Sequence, residues 1–202
     1  THLYKCEESI SEKELLETIE HLNNDIEIDA ILIQLPLPDS LNTNRVIAAI
    51  NPEKDVDFFH PDNLKILQST CNHNHAMSPV YKTILAMVES IDYDLSNTKT
   101  CVLCNSDVFG ESLIKVLDCL GAKTTVAHIE DDDWQDKLKT AEFVITAIGK
   151  PHFIKKGHLK KDSVVIDVGT TKKGKKILGD VDFDDVDEHV SYISPVPGGV
   201  GP

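Results

Sequence analysis

The chain has 202 residues, of which 41% are hydrophobic and 27% charged, and its formal net charge at pH 7 is −14. This length can bury a core in one large domain or two small ones, and the composition is typical of a globular protein. The negative charge argues against non-specific binding to nucleic acid or to an anionic membrane. No apolar run approaches the roughly 20 residues that a membrane-spanning helix requires.

The cysteines favour neither a disulfide framework nor a metal site. They are odd in number and scattered: Cys6, Cys71, Cys101, Cys104 and Cys119. Two of them form a C-x-x-C pair, but no second pair follows that would complete a zinc site. We therefore predict no metal and a reducing compartment, the cytoplasm, with the mitochondrial matrix as the alternative.

The first part of the chain predicts the order helix, strand, helix, which suits an α/β layer. Ser11 and Glu14 have the spacing of a capping box, and apolar residues follow at helical spacing. The next apolar run, 29–34, predicts a buried strand. This strand must stop by Pro36, because proline has no N–H for the hydrogen-bond ladder. A second helix is predicted over about 43–50.

Polar residues follow this predicted strand. Gln34 lies at its carboxyl end, where open α/β sheets bind ligands. Asp55, Asp57 and His60 lie in a proline-bounded segment too broken for a helix, and we expect His60 to be a structural hydrogen-bonding residue. Residues 68–77 predict a polar loop.

The second part of the chain predicts a doubly wound sheet. A helix should begin at Ser78-Pro79, a typical N-cap followed by proline at the first helical position. Buried strands with helices between them are then predicted over 100–104, 123–128, 143–149 and 163–169. This alternation is the pattern of a parallel sheet in the α/β class.

The turn at 104–110 is the predicted nucleotide-binding loop. It contains Ser106 and Gly110 ahead of a helix, and a helix N-terminus can hold a pyrophosphate. Glu130 follows about 20 residues later, where an acidic group can bind a ribose 2′-hydroxyl and would repel a 2′-phosphate. This position favours NAD over NADP. The alternatives are an ordinary βα turn and, for 130–133, a solvated first helical turn.

Four motifs carry a resemblance to a known family. They are QLPLP at 34–38, NPEKDVDFFHP at 51–61, VIDVGTT at 165–171 and PVPGGVGP at 195–202. In this order they resemble the bifunctional methylenetetrahydrofolate dehydrogenase/cyclohydrolase family over nearly the whole chain. The resemblance implies a partial N-terminal α/β catalytic domain at 1–78, a linking helix at 79–95 and a Rossmann-type cofactor domain at 96–202.

The resemblance also implies an activity in one-carbon metabolism and purine biosynthesis. A family member oxidises 5,10-methylenetetrahydrofolate to the methenyl form with NADP or NAD, and hydrolyses that product to 10-formyltetrahydrofolate. It needs no metal and forms a homodimer through the cofactor domain. A dehydrogenase for another substrate would not explain the QLPLP and GGVGP motifs.

Site residues are carried over from the family motifs. Gln34 and Asp57 match its catalytic-site glutamine and its pterin-binding aspartate. The implied substrate contacts are Gln34, Leu35, Asp57, Pro197, Gly198 and Gly199. The implied cofactor contacts are Cys104, Asn105, Ser106, Gly110, Ile129, Glu130 and Thr170.

Several features depart from the family pattern. The family's cyclohydrolase lysine and its assisting tyrosine lie upstream of the first residue, and its C-terminal helix lies beyond the last. Phe58 and Cys104 replace glycines, and Asp107 adds a carboxylate to the nucleotide loop. These departures support an alternative, a catalytically degenerate member that binds nucleotide or folate or serves as a dimerisation module.

Overall fold

The computed structural model describes residues 1–7, 9–70 and 77–201. The chain divides into two compact units, Thr1–Ser78 and Pro79–Pro202. Of the predicted loop at 68–77, residues 71–76 lie outside the described part. Residues 68–70 belong to a helix, so the prediction of a loop there is wrong.

The first unit contains three helices, α1 Glu12–Asn24, α2 Thr43–Ile47 and α3 Pro61–Thr70. The predicted capping box begins α1, because the Ser11 Oγ accepts the Glu14 N–H at 3.3 Å and the Glu14 carboxylate accepts the Ser11 N–H at 3.0 Å. The apolar core of this unit comprises Leu15, Ile19, Leu22, Ile31, Leu41, Val46 and Ile50.

The predicted strand at 29–34 is wrong. Ile31 is buried, but Leu32 beside it is 58% exposed. Ile31 forms a single parallel bridge, in which its N–H donates to Lys54 O at 2.7 Å and its C=O accepts from Val56 N–H at 3.4 Å. Among the described residues, no other segment pairs with this run, and an apolar run without neighbours cannot form a ladder.

The helices after this bridge also differ from prediction. Helix α2 ends at Ile47, and the remainder of the predicted 43–50 helix tightens into turns, with the Ile50 N–H donating to Ile47 O at 3.1 Å. Helix α3 was not predicted. Pro61 begins it at the first helical position, where the missing N–H has no effect on the helix.

The second unit is built on a parallel sheet. Its strands are β1 Lys99–Cys104, β2 Lys123–Ala127, β3 Phe143–Ala147, β4 Val164–Asp167, β5 Thr171–Lys173, β6 Lys176–Leu178 and β7 Tyr192–Ile193. Its helices are α4 Pro79–Ser90, α5 Asp107–Cys119, α6 Trp134–Thr140 and α7 Phe183–Val186, with a short 3-10 helix at Lys156–His158.

The strand order is β2-β1-β3-β4-β7, with every pair parallel, and β5 and β6 form a separate antiparallel hairpin. Strands β1, β3 and β4 are buried over almost their whole length, as expected when both faces of a parallel sheet are covered. The predicted α/β class and the doubly wound sheet are confirmed.

Lys54 stabilises the carboxyl end of α1. Its Nζ donates to the carbonyl oxygens of Leu22 at 3.1 Å, Asn23 at 2.8 Å and Asp25 at 2.8 Å. The last carbonyl groups of a helix have no partner within the helix, and a cation there also complements the helix dipole.

We expect Lys54→Met to destabilise the first unit by about 2 kcal/mol, because it removes hydrogen bonds from a charged donor. Hydrogen-exchange protection of the α1 amides measures the change. Lys65→Met is the matched control, since in the part of the chain that the structure describes Lys65 forms only an exposed ion pair with Asp62 at 2.9 Å, which contributes at most about 0.5 kcal/mol. Equal effects of the two substitutions would contradict the assigned role of Lys54.

Candidate active site

Ligand-binding candidates of the second unit gather at the carboxyl ends of its strands. The strand order reverses beside β1 and β3, and open α/β sheets bind ligands at such a switch point. Asn105 follows β1, and its Nδ2 donates to Ile148 O at 3.3 Å. This side chain therefore links the turn after β1 to the end of β3.

Ser106 begins helix α5 as its N-cap. Its Oγ accepts the Phe109 N–H at 3.4 Å, and its C=O accepts the Gly110 N–H at 2.9 Å. The helix thus begins at Asp107, inside the predicted nucleotide-binding loop. Its first N–H groups have no partner within the helix, and together with the helix dipole they favour an anion at this end.

Cys104 and Gly110 pack against each other in this turn. A Cβ atom at Gly110 would lie 2.7 Å from the Cys104 Sγ and 3.4 Å from Val126. Burial raises the pKa of the Cys104 thiol, and raises that of the Cys101 thiol to about 12. Both thiols are therefore protonated at neutral pH, and the C-x-x-C pair serves as packing.

Asp107 pairs with a histidine instead of capping the helix. Its Oδ1 lies 3.3 Å from the His128 Nε2, and its side chain is 82% exposed. The His128 Nδ1 lies 2.9 Å from Cys104 O, so a proton on Nδ1 donates to that carbonyl. The contact with Asp107 needs a second proton on Nε2, so it is the imidazolium that bridges β1 and the first turn of α5. The Asp107 carboxylate itself places a negative charge where a phosphate would bind.

The acidic run after β2 divides into two kinds of residue. Asp131 and Asp133 both bind the Lys137 Nζ, at 3.3 and 2.8 Å, and so stabilise the start of α6. Glu130 is exposed, whereas Ile129 before it packs against the core of the unit. Glu130 is thus placed to meet a ligand at the carboxyl end of β2.

Two buried aspartates define the ends of β3 and β4. The Asp167 carboxylate accepts the N–H groups of Gly169 at 2.9 Å, Asp180 at 3.1 Å and Val181 at 2.9 Å. Burial raises the pKa of Asp167 to about 7, although these three donors lower it. The neighbouring charge of Asp180 contributes to this rise in the pKa of Asp167.

The Asp180 carboxylate makes a matching set of bonds. It accepts the Thr146 hydroxyl at 3.1 Å, the Ile148 N–H at 2.7 Å and the Lys150 N–H at 2.8 Å. Each carboxylate also fills the space where a glycine lacks a side chain, with Asp180 against Gly169 and Asp167 against Gly179. We call these two residues the aspartate pair.

A cavity of about 350 Å³ lies beside the aspartate pair. Its walls are Asp167, Val168, Thr170, Ile177 and the glycine-rich loop 195–201. Among the described residues, none other than Gly198 and its two chain neighbours has an atom within 4 Å of the point where a side chain at Gly198 would begin, so the backbone there is open to a ligand. The fold thus brings together Thr170, predicted to contact a cofactor, and the loop residues predicted to contact substrate.

Site candidates in the first unit are less enclosed. Gln34 is exposed, and its Nε2 donates to Leu35 O at 3.2 Å. Asp57 is half-buried, and burial, with a smaller effect of Asp55, raises its pKa. Phe58 follows it with a φ of 57°, a left-handed conformation that bulky residues rarely adopt.

His60 has a structural role in the same segment. It is buried, and its backbone N–H donates to the Asp55 carboxylate at 2.8 Å. Both ring nitrogens form hydrogen bonds with the backbone. Nε2 lies 3.2 Å from Ala48 O, and Nδ1 accepts the Asp62 N–H at 3.1 Å. Both ring nitrogens are therefore occupied, in agreement with the prediction.

Sequence analysis did not identify His128 or the aspartate pair. For the pair a signal was present, because each aspartate lies within two residues of a glycine, in the segments DVG at 167–169 and GD at 179–180. In the described part of the chain, no three His, Cys, Asp or Glu side chains are arranged to hold a metal ion. No helix there is long and apolar enough to cross a membrane.

Comparison with known proteins identifies the family. The catalytic-domain profile of tetrahydrofolate dehydrogenase/cyclohydrolase matches residues 1–57, and the profile of its NAD(P)-binding domain matches residues 78–202. The chain belongs to this family.

Individual members of the tetrahydrofolate dehydrogenase/cyclohydrolase family agree over almost the whole chain. The bifunctional protein FolD of Staphylococcus carnosus is 39% identical over 203 residues, covering 100% of this chain and 70% of the relative. The crystal structure of the bifunctional enzyme FolD from Campylobacter jejuni matches with a TM-score of 0.83 at 34% identity, over 96% of this chain and 69% of that one. A Trypanosoma brucei FolD structure, complexed with NADP cofactor and inhibitor, matches with a TM-score of 0.84 at 29% identity, over 96% and 69%.

The contact between Cys104 and Gly110 leads to a double-mutant prediction. We expect Gly110→Ala to destabilise the second unit by about 2 kcal/mol, because the added methyl group overpacks against the Cys104 Sγ. In the Cys104→Ala background, Gly110→Ala should destabilise the unit by about half as much or less, because the Sγ atom that it would contact is gone. Urea unfolding of the four variants measures the coupling. If the free-energy changes of the two single substitutions simply add in the double variant, Cys104 does not prevent a side chain at position 110.

Asp167 leads to a prediction about pH. Its pKa rises from 3.8 in the unfolded chain to about 7 in the folded one, so between these values the folded chain holds a proton that the unfolded chain has lost. Raising the pH through this range therefore removes stability, on the order of a few kcal/mol. Asp167→Asn should flatten the fall in unfolding free energy between about pH 5 and pH 7.

Urea unfolding, followed by the fluorescence of Trp134 in the core of this unit, measures the effect. Asp184→Asn is the control, because that carboxylate is exposed and should leave the pH dependence unchanged. A wild-type slope in the Asp167 variant would show that another group is responsible.

Proposed function

We propose that the chain carries the two reactions of its family. It oxidises 5,10-methylenetetrahydrofolate to the 5,10-methenyl form with NAD(P)⁺ and takes part in the hydrolysis of that product to 10-formyltetrahydrofolate. The observation that carries this proposal is the cavity beside the aspartate pair, where Thr170 and the loop 195–201 meet at the carboxyl edge of the parallel sheet. A ligand there has access to open backbone at Gly198.

The residues at this edge fit a nicotinamide cofactor. A bound cofactor would supply the hydride acceptor, and the protein would supply position and electrostatics. The N-terminus of α5, capped by Ser106, offers N–H groups to the pyrophosphate. Glu130 would accept a hydrogen bond from a ribose hydroxyl, and Thr170 would lie against the nicotinamide part. The remaining proposed contacts are Cys104, Asn105, Gly110 and Ile129.

Folate contacts are proposed in each unit separately. In the first unit, Asp57 would accept two N–H groups from the pterin, since a carboxylate can accept on both oxygens. Gln34 and Leu35 would adjoin it in the QLPLP segment. In the second unit, the proposed contacts are Pro197, Gly198 and Gly199. We further propose a homodimer through the second unit, whose edge strand β7 exposes Tyr192 by 50%.

The second candidate function is a binding or dimerisation module without catalysis. It is favoured by the Asp107–His128 pair, which adds a carboxylate at the predicted phosphate site, and by the left-handed backbone at Phe58. The first feature opposes the binding of a phosphate group, and the second places a bulky side chain in a rarely adopted backbone conformation next to Asp57. Neither is expected in the binding site of an active enzyme.

The deciding experiment measures formation of the methenyl product by the full-length protein with methylenetetrahydrofolate and either cofactor. Turnover with one of them supports the first proposal. Binding of nucleotide or folate without turnover supports the second. Static light scattering of the same sample tests the homodimer.

Cofactor preference gives a further prediction. We expect kcat/KM to be at least about tenfold higher with NAD than with NADP, because Glu130 repels a 2′-phosphate by about 1.4 kcal/mol or more. Glu130→Ser should remove most of this preference by improving the use of NADP. Asp132→Ser is the control, since Asp132 is another exposed carboxylate of the same turn. Preference for NADP in the wild type would overturn the assignment of Glu130.

A further inference from the structure

The cavity beside the aspartate pair has a wall with little charge. The loop 195–201 contributes only proline, valine and glycine, and the remaining neutral side chains of the wall are those of Val168, Thr170 and Ile177. Among the described residues that line the cavity, Asp167 is therefore the only one with an ionisable side chain, and it is 2% exposed. Because little water screens a charge in such surroundings, the ionisation of Asp167 acts strongly on a charge that a ligand brings into the cavity.

The segments packed around Asp167 bring few charged groups to it. Among charged neighbours, Asp180, from the segment before α7, has the largest effect on the pKa of Asp167 and opposes its ionisation. The segment after β7 adds Ser194, which is neutral and whose Oγ accepts the Asp167 N–H at 2.7 Å. The β5–β6 hairpin adds Lys172, which is exposed and lies opposite Ile177.

Two further groups lie on the far side of Asp180. Lys150 donates its backbone N–H to the Asp180 carboxylate at 2.8 Å, and its side chain is exposed. His152 donates its backbone N–H to Gly179 O at 3.0 Å, and its ring lies beside Asp182, with Nδ1 3.9 Å from Oδ2. Lysine as a residue type titrates far above neutral pH, whereas imidazole titrates near it. A test that varies the pH therefore needs a control at His152.

Asp167 itself changes charge close to neutral pH, because burial raises its pKa to about 7. A positive charge that enters the cavity favours the carboxylate and expels the proton. A neutral group that only displaces water favours the protonated acid. Asp167 is thus able to distinguish between two ligands that differ by one charge at this point.

The two redox forms of a nicotinamide cofactor differ in this way. The nicotinamide ring of NAD⁺ is cationic, and hydride transfer makes it neutral, while the pyrophosphate and both riboses stay the same. All other electrostatic contacts of the cofactor therefore cancel when the two forms are compared. Thr170, the proposed contact of the nicotinamide part, lines the same cavity as Asp167.

We propose that Asp167 sets the relative affinity of the protein for NAD⁺ and NADH, because its carboxylate favours the cationic ring and its protonated form does not. The inference rests on the proposed function, since it assigns a further residue to the nicotinamide end of that cofactor site. Binding of NAD⁺ releases a proton from Asp167 to solvent. Once the ring is neutral, Asp167 takes a proton back from solvent, so the exchange balances over one turnover.

Calorimetric titration of the full-length protein with NAD⁺ and with NADH tests this role without turnover. We expect the ratio of the dissociation constants, NAD⁺ over NADH, to fall about tenfold between about pH 5.5 and about pH 8.5, since unit charges about 10 Å apart in a protein interact at about this strength. Asp167→Asn removes the titrating group and keeps its shape. In this variant the ratio should change by about twofold or less.

His152→Asn is the matched control. It removes the imidazole, and asparagine tolerates the left-handed backbone at this position, where φ is 55°. The fall in the ratio should persist in this variant, because His152 is absent from the cavity wall.

A second measurement uses the wild type alone and so does not depend on the folding of any variant. Titrations at about pH 7 in buffers of different ionisation enthalpy count the protons exchanged on binding. We expect NAD⁺ binding to release about half a proton more than NADH binding, as a tenfold change in affinity requires near the pKa of the group.

The outcomes separate the inference from the function on which it rests. A difference in proton release between NAD⁺ and NADH that disappears in Asp167→Asn supports the role of Asp167. Equal proton release for both forms, a pH-dependent ratio that persists in Asp167→Asn, or its loss in His152→Asn would overturn that role while nucleotide binding stands. Failure of the wild type to bind either form would overturn the proposed function, and the inference with it.

Discussion

The aspartate pair is the constraint on which the candidate site of the second unit depends. Burying a carboxylate is costly unless hydrogen bonds compensate it, and each member of the pair accepts three. Their donors come from the ends of β3 and β4 and from the segment before α7. The pair therefore holds three separate stretches of chain in one arrangement. Val168 and Thr170, which follow β4 directly, take their places in the cavity wall from this arrangement.

The sheet could be predicted because burial on both faces leaves a strong signal in sequence. Strands β3 and β4 are short runs rich in β-branched residues. β4 ends at Asp167, and Gly149 lies two residues beyond the end of β3. The run at 29–34 has the same composition, but a strand also needs neighbours, and Ile31 finds only the segment at Asp55. Helix α3 is the reverse case, a helix that forms although the sequence gives little sign of it. Its apolar residues, among them the exposed Ile66, form only a weak helical pattern.

The candidate site was predictable only in its separate pieces. Thr170 and the glycine-rich loop could each be identified from local sequence, but their approach across one cavity is a property of the fold. The bond between His128 and Cys104 depends on the parallel register of β1 and β2, which places Leu103 opposite Ala127 and so brings the next residues together. No local pattern encodes that register.

The left-handed backbone at Phe58 has a consequence for how this protein can evolve. Glycine is the residue that relieves a positive φ, yet no single nucleotide change converts a phenylalanine codon into a glycine codon. One connecting route passes through valine, whose β-branched side chain is strongly disfavoured at positive φ. The other passes through cysteine, which also keeps a Cβ atom in this conformation. A lineage that carries phenylalanine here is thus held at a strained position by the genetic code as well as by its fold.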